Sequence, residues 1–269
     1  MLTTWLDLPS WAIAATLIVF YGLTATLLHL IAFHWPTHRH LASLQGMTTP
    51  FFTTANTLFA LMIAFLGAGV WESYRTAVQA VLHEREGIVA VLELANAVPS
   101  EATRLRERVN HYVTSVIDDE WRQRPIGHGS DHTDAALLAL LGAVASQQTG
   151  AAASPAVQAA LLNAVERISA ARSARLVLMG APNDSPRWVA VLLLALLTQI
   201  SVAVAHLDRA RSQIVALSLS TAAAIIALAL VAMLERPFDG ANQVSPEPLR
   251  RAIAAEYVRI RVGLDRRNA

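Results

Sequence analysis

The hydrophobic residues of this chain are concentrated in four long segments that are almost free of charge. They cover residues 11–33, 50–71, 188–205 and 214–234. Each supplies about 20 helical residues, which at roughly 1.5 Å per residue cross a hydrocarbon core of about 30 Å. Tryptophans lie near several segment ends, as in the aromatic belts of membrane proteins. The pattern predicts an all-α membrane protein with four transmembrane helices.

These spans divide the chain into two transmembrane hairpins and a long segment between them. We expect a first hairpin at 1–71, a helical domain at 72–186, a second hairpin at 187–235 and a tail at 236–269. No basic residue precedes Arg39, so the first span is interpreted as a retained helix and not as a cleaved signal peptide.

The arginines near the span ends predict the orientation. Most lie on the side of the middle segment, and by the positive-inside rule the middle domain and both termini are expected in the cytoplasm. The arginines on that side are Arg75, Arg85, Arg172, Arg175, Arg187, Arg236, Arg250 and Arg251, and those on the other side are Arg39, Arg209 and Arg211.

The second span is predicted to continue beyond the membrane as one long helix. Neither Gly nor Pro interrupts residues 72–85, and the helix is expected to end before Pro99. A heptad-like stripe supports this prediction. Its members are Val78, Val81, Arg85, Ile88, Leu92 and Ala95.

Three further helices complete the predicted bundle between the second and third spans. The first begins after a capping Ser100, and the others cover residues 135–148 and 156–179. The stretch 123–134 is predicted to be a loop because it contains Pro, Gly and His.

Composition excludes several kinds of chemistry. The chain is 54% hydrophobic and 15% charged with a net charge of +1, which gives no reason to expect nucleic acid as a partner. It contains no cysteine, which excludes disulfides, thiolate nucleophiles and iron–sulfur clusters. It also contains no lysine, which excludes a Walker A loop and a Schiff-base enzyme.

No motif predicts an enzyme, a cofactor or a bound metal. The Glu-x-x-His pairs of di-iron bundles are missing, and so is the Gly-x-Ser-x-Gly turn of hydrolases. The best metal candidates are His34, His38 and His40, with His206 as a further candidate. They are interpreted as part of a solvated loop at the membrane surface.

The second span carries the most suggestive residues. Thr53, Thr54, Asn56 and Thr57 cluster near its outer end, and a buried Asn within a span indicates a helix contact or water. One predicted face carries Phe52, Asn56, Phe59 and Ile63. This face either lines a pore with a hydrophobic constriction or packs against neighbouring helices.

The order of several short motifs resembles the bestrophin-like family of bacterial membrane proteins. The residues that carry the resemblance extend through nearly the whole chain. They are Trp71-Glu72-Ser73-Tyr74-Arg75, Glu86-Gly87, Pro99, Tyr112, Glu120-Trp121, Ala171-Arg172-Ser173-Ala174-Arg175-Leu176, Arg236-Pro237-Phe238-Asp239-Gly240 and Val244-Ser245-Pro246. The family-motif residues singled out are Glu86, Glu120, Trp121, Pro237, Phe238 and Gly240.

The resemblance implies a function as a channel. In bestrophins, five subunits surround an anion pore lined by the second span. The resemblance therefore implies a homo-oligomer, pentameric in the family pattern, that conducts chloride or other inorganic anions across a bacterial inner membrane. The acidic calcium clasp expected after the last span is missing, since only Asp239 and Glu247 follow Glu235 nearby.

A second hypothesis is a non-conducting sensor or scaffold whose helical domain recruits a partner. The basic tail at 250–267 is then a contact for that partner or for lipid. The tail could equally form a solvated helix along the bundle.

Overall fold

The computed structural model describes residues 8–33, 49–122, 129–180, 185–239 and 242–268. Across this part of the chain every regular element is a helix and no strand occurs. The elements are α1 (Ser10–Phe33), α2 (Thr49–Ala95), α3 (Ala102–Ser115), a π-helix (Val116–Trp121), α4 (Asp131–Ala145), α5 (Gln147–Ala152), α6 (Pro155–Met179), α7 (Ser185–Ala205), α8 (Ala210–Leu234) and α9 (Glu247–Asn268). The all-α prediction is confirmed.

The chain forms two compact units. The membrane unit combines Met1–Tyr74 with Pro182–Gln243, and the bundle unit combines Arg75–Ala181 with Val244–Ala269. Helix α2 contributes to both, because it continues without interruption for 47 residues. The sequence predicted this continuation.

Five segments are long and apolar enough to cross a membrane. Four are the helices α1, α7 and α8 and the segment Thr53–Ala95 of α2. The fifth, Asp131–Ala152, belongs to the bundle unit and was expected as a helix outside the membrane. A break at Ser146, whose backbone is extended, divides it into α4 and α5.

Apolar side chains from four helices form the core of the membrane unit. Helix α1 contributes Ile13, Leu17 and Tyr21, and α2 contributes Leu66 and Val70. The remaining members come from α7 and α8, namely Trp188, Val191, Ala195, Leu228, Ala229, Val231, Ala232 and Leu234. Burial against lipid tails gains little, so close packing and polar contacts must fix this arrangement.

Buried amides supply those polar contacts. The Nε2 atom of Gln199 donates hydrogen bonds to the carbonyl of Tyr21 at 3.0 Å and to the hydroxyl of Thr221 at 2.8 Å. The hydroxyl of Thr24 donates to Oε1 of Gln199 at 2.7 Å. One glutamine on α7 therefore connects α1, α7 and α8.

In the bundle unit, the buried stripe of α2 differs from the prediction. Arg85 is exposed and Glu84 is fully buried in its place. A spacing of three and four residues that starts at Ala77 passes through Val81 and Glu84 and reaches Ile88. The predicted stripe was therefore wrong at Arg85, because the buried face is reached three residues after Val81 and not four.

Helix α2 packs closely against α6 at Gly87. A Cβ atom at this position would lie 2.6 Å from Cγ1 of Ile168 and 3.0 Å from the carbonyl oxygen of Ala164. Only a residue without a side chain permits this approach.

The helix starts in the bundle unit differ slightly from those predicted. Helix α3 begins after Glu101 and not after Ser100. Helix α4 begins at Asp131, four residues earlier than expected, because the hydroxyl of Ser130 accepts a hydrogen bond from the backbone of His132. Such N-caps contribute about 1 kcal/mol.

The C-terminal helix α9 packs along the bundle. Leu249, Ala252 and Glu256 are buried, and Nε of Arg106 on α3 pairs with Glu256 at 3.1 Å. The first half of the tail therefore forms a helix along the bundle, which is one of the two predicted alternatives.

Candidate functional site

The membrane half of α2 has one side turned towards the core of its own unit. Leu66 and Val70 are buried there, and Phe59, Met62 and Ile63 pack against the same core. These positions recur every three or four residues, which places them on one face of the helix.

The structure separates the predicted pore residues. Asn56 is exposed, whereas Phe59 and Ile63 are half-buried against the core of the membrane unit. The side chain of Phe52 lies outside the described part of the chain. The pore assignment of these four residues stays a prediction.

The exposed side of α2 divides into two strips. One carries large apolar side chains, Leu58, Leu61 and Phe65. The other, which we call the small-residue strip, carries only hydroxyl and methyl side chains. Its members are Thr53, Thr57, Ala60, Ala64 and Ala68, all exposed.

A second candidate site is a cluster of buried charges in the bundle unit. Arg175 on α6 is fully buried, and its Nε donates to Oε2 of Glu84 at 2.9 Å. Its Nη2 donates to Glu84 at 3.2 Å and to Oε2 of Glu120 at 2.7 Å. The hydroxyl of Tyr112 donates to Oε1 of Glu84 at 2.7 Å. The guanidinium thus joins two carboxylates that are themselves fully buried.

Arg172 completes the cluster one helical turn before Arg175. Its Nε donates to Oε1 of Glu120 at 3.0 Å, and its Nη2 donates to the same oxygen. Its Nη1 donates to the half-exposed carboxylate of Asp134 on α4. The backbone N–H of Ser130 also donates to Glu120 at 3.3 Å.

The charges in the interior balance. Two buried guanidiniums face two buried carboxylates, which is the condition under which ionised groups are tolerated away from water. Burial alone would lower the pKa of Arg175, but the charge and hydrogen bonds of Glu84, with Glu120, override it and hold that pKa above its ordinary value. Burial and the charge of Glu84 raise the pKa of Tyr112 well above 10.0. Tyr112 is therefore neutral and Arg175 charged at physiological pH.

A π-helix supplies Glu120 to this cluster. The helical path widens over Val116–Trp121, and such widened turns occur frequently at functional sites. The next residue, Trp121, lies under the guanidinium of Arg175 at 4.4 Å from the ring centre. Its Nε1 donates to the carbonyl of Val244 at 3.3 Å. The segment therefore ties the cluster to the chain that precedes α9.

The other family-motif residues lie in three places. Glu86 is exposed on a groove between α2 and α6. Pro237 and Phe238 are buried in the membrane unit, and Gly240 lies outside the described residues.

The candidate metal ligands do not form a site that the structure describes. His34, His38 and His40 lie outside the described residues, and Nδ1 of His206 lies 2.9 Å from the carbonyl of Val202 in its own helix. In the described part of the chain, no group of three or more His, Asp or Glu side chains has metal-binding geometry.

Sequence reasoning missed the partnership of Glu84 with Arg175. The signal was spacing: Arg175 follows the buried Ile168 by seven residues, and Glu84 follows Val81 by three. Both charges therefore fall on apolar stripes, one on each of two helices, which indicates an ion pair in the interior.

This geometry defines a class of protein: an all-helical chain with a core of apolar membrane helices and a bundle that contains buried ion pairs. The sequence profile of the Bestrophin-like domain matches residues 19–249, and the chain belongs to the Bestrophin-like family. No curated protein matches the sequence.

Solved structures with the same fold support this assignment. A bacterial bestrophin homologue from Klebsiella pneumoniae superposes with a TM-score of 0.74 at 15% identity, covering 89% of this chain and 97% of that one. Another structure of a homologue from the same organism gives 0.70 at 16% identity, with 89% and 96% covered. A structure described as a membrane protein gives 0.73 at 15% identity, with 88% and 94% covered. At this identity the similarity shows the fold.

Proposed function

We propose that this chain is one subunit of an oligomeric ion channel whose pore is lined by the membrane half of α2. Members of the family with this fold are ion channels. The observation that carries the proposal is the small-residue strip, because the unit's own core leaves it exposed. Several copies of this strip around an axis would enclose a narrow path of hydroxyl and methyl groups.

The chemistry of the strip supports anions as the permeant ions. No charged residue occurs from Thr53 to Trp71, and the first acid is Glu72 at the inner end. A side-chain amide N–H donates a hydrogen bond to an anion, and the exposed Asn56 provides this group. The hydroxyl of Thr57 donates at 2.8 Å to the carbonyl of Thr53 in the same helix. The alanines that follow form a hydrophobic constriction of the kind that gates by dewetting.

The arrangement around this pore follows the family pattern. We propose a homo-oligomer, a pentamer in that pattern, in a bacterial inner membrane. The bundle unit and both termini lie in the cytoplasm, where the arginines near the span ends favour them.

Planar-bilayer recording under a salt gradient tests the proposal. The wild type is expected to conduct with a reversal potential near that of the anion. Asn56→Asp adds a carboxylate at the outer end and is expected to shift the reversal potential towards that of the cation. The neutral Asn56→Ser is the matched control and should leave the sign unchanged. Absence of conductance from a homogeneous purified protein would contradict the channel and favour the sensor or scaffold.

A further inference from the structure

Helix α4 is apolar on two faces, and its own unit covers only one of them. Ala136, Leu140, Ala143 and Val144 are buried in the bundle unit. The opposite side forms what we call the α4 ridge, on which Leu138 is 67% exposed and Leu141 is 41% exposed. The small exposed residues Ala135, Gly142 and Ala145 complete the ridge.

The ridge has the apolar composition of a surface that is normally buried in an interface. No charged residue occurs from Ala135 to Ala145, and α4 makes up most of the apolar segment Asp131–Ala152. The break at Ser146 leaves α4 itself with 15 residues, or about 22 Å, which is too short to cross a hydrocarbon core of about 30 Å. A helix that is apolar all round is a buried helix, so another surface must cover the ridge.

The same unit carries a groove lined by small apolar residues and by polar residues. It has a volume of about 560 Å³ and lies between α2 and α6. Four of its lining residues are alanines, namely Ala80, Ala170, Ala171 and Ala174. Large side chains on one surface and small ones on the facing surface interdigitate, which is how closely packed interfaces are built.

Charge adds a preferred orientation. Arg167 and Glu86 both line the groove, and the exposed Asp131 stands at the start of the ridge helix. Docking that brings Asp131 to Arg167 and keeps it away from Glu86 is favoured over the reverse orientation. A membrane surface is a poorer occupant of the ridge, because peripheral helices use Lys and Arg beside their apolar face and this ridge has none.

We propose that the α4 ridge of one copy of this chain seats in the α2–α6 groove of the next copy. Ridge and groove are different surfaces of one chain, so the contact is head-to-tail, and repeating it closes a ring when the rotation permits. The inference rests on the proposed oligomer and names the surfaces that build it. Because α2 lines the groove and continues into the membrane, each contact also holds the pore-lining helix of the neighbouring subunit.

The absence of cysteine makes this contact directly testable. Leu138→Cys and Ala170→Cys together place one thiol on the ridge and one in the groove. In the full-length protein in mild detergent, oxidation should give a ladder of cross-linked chains up to the closed ring. Its yield should exceed the control by about tenfold or more, since residues in contact have an effective concentration far above that of free chains.

The matched control pairs Leu138→Cys with Arg108→Cys, an exposed residue of α3 outside the groove. Dimers from Leu138→Cys alone would mean that ridge meets ridge and would overturn the proposal. If the wild type forms a ring but the double-cysteine variant gives no cross-linked ladder, the assignment of these two surfaces is wrong and the proposed channel is unaffected. A wild type that is monomeric would overturn both.

Discussion

The Nε atom of Arg175 donates a 2.9 Å hydrogen bond to Oε2 of Glu84, across 91 residues of sequence and between two fully buried side chains. This bond joins α6 to the helix α2, whose other half belongs to the membrane unit. Breaking a buried ion pair leaves an uncompensated charge in the interior. The free-energy cost of breaking the pair therefore opposes any sliding or rotation of α2 against the bundle. The pair therefore fixes the register of the helix on which the proposed pore depends.

Replacing Glu84 by Gln should destabilise the bundle strongly. The substitution keeps the shape but leaves Arg175 with Glu120 as its only acid, and breaking one side of a buried pair typically costs about 3–5 kcal/mol. Thermal unfolding in detergent measures the effect. Glu86→Gln, two residues later and exposed, is the control and should change stability by less than about 0.5 kcal/mol. Equal midpoints for the two variants would refute the role of the pair.

Gly87→Ala should also destabilise, for a steric reason. The new methyl group would meet Ile168 and the backbone of Ala164, and overpacking of this kind costs about 1–3 kcal/mol. Gly69→Ala in the same helix meets nothing within 4 Å and should be neutral or slightly stabilising. The same unfolding assay compares the two, and a Gly87→Ala protein as stable as Gly69→Ala would show that α2 and α6 are not in contact there.

Tyr112 should make the bundle sensitive to alkaline pH. Its pKa is raised in the folded protein above the ordinary value of 10.0, so its contribution to stability is fully present below pH 10. That contribution is lost as the pH rises from 10 towards the folded-state pKa. Tyr112→Phe removes the titrating hydroxyl, and its stability should fall less steeply than that of the wild type above pH 10. Parallel curves for the two proteins would contradict this.

Gln199→Leu should loosen the membrane unit. It removes the hydrogen bonds to Thr24, Thr221 and the carbonyl of Tyr21, and interhelical bonds in membranes contribute about 0.6–2 kcal/mol. Ser201→Ala in the same helix is the control, because the Ser201 hydroxyl bonds only within α7, to the carbonyl of Leu197. Unfolding by denaturant in detergent measures the stability of both variants. A Gln199→Leu protein at least as stable as the control would contradict the prediction.

The parts of the fold that follow from local pattern could be predicted from the sequence. Uncharged runs predicted the membrane helices, and the absence of Gly and Pro from residues 72–85 predicted the long α2. The sequence pattern could not predict the contacts between distant segments. Glu84 was missed because steps of three and of four residues both fit a helical stripe, and its partner Arg175 lies on another helix.

The prediction of pore-lining residues also depends on contacts between distant segments, which the sequence pattern does not show. Helical spacing placed Asn56, Phe59 and Ile63 on one face, and that spacing is correct for a helix. Spacing does not say which face the rest of the chain covers. The structure packs Phe59 and Ile63 against the core and leaves the small-residue strip exposed, which only the positions of α1, α7 and α8 determine.

Modification of single introduced thiols tests the central claim most directly, because the chain has no cysteine of its own. Ala64→Cys lies on the small-residue strip, and Phe65→Cys lies on the neighbouring strip of large side chains. If α2 lines a pore, a negatively charged thiol reagent applied during bilayer recording should reduce the current through Ala64→Cys and leave that through Phe65→Cys unchanged. A current that is unaffected in Ala64→Cys, or no current in the unmodified protein, would contradict the account.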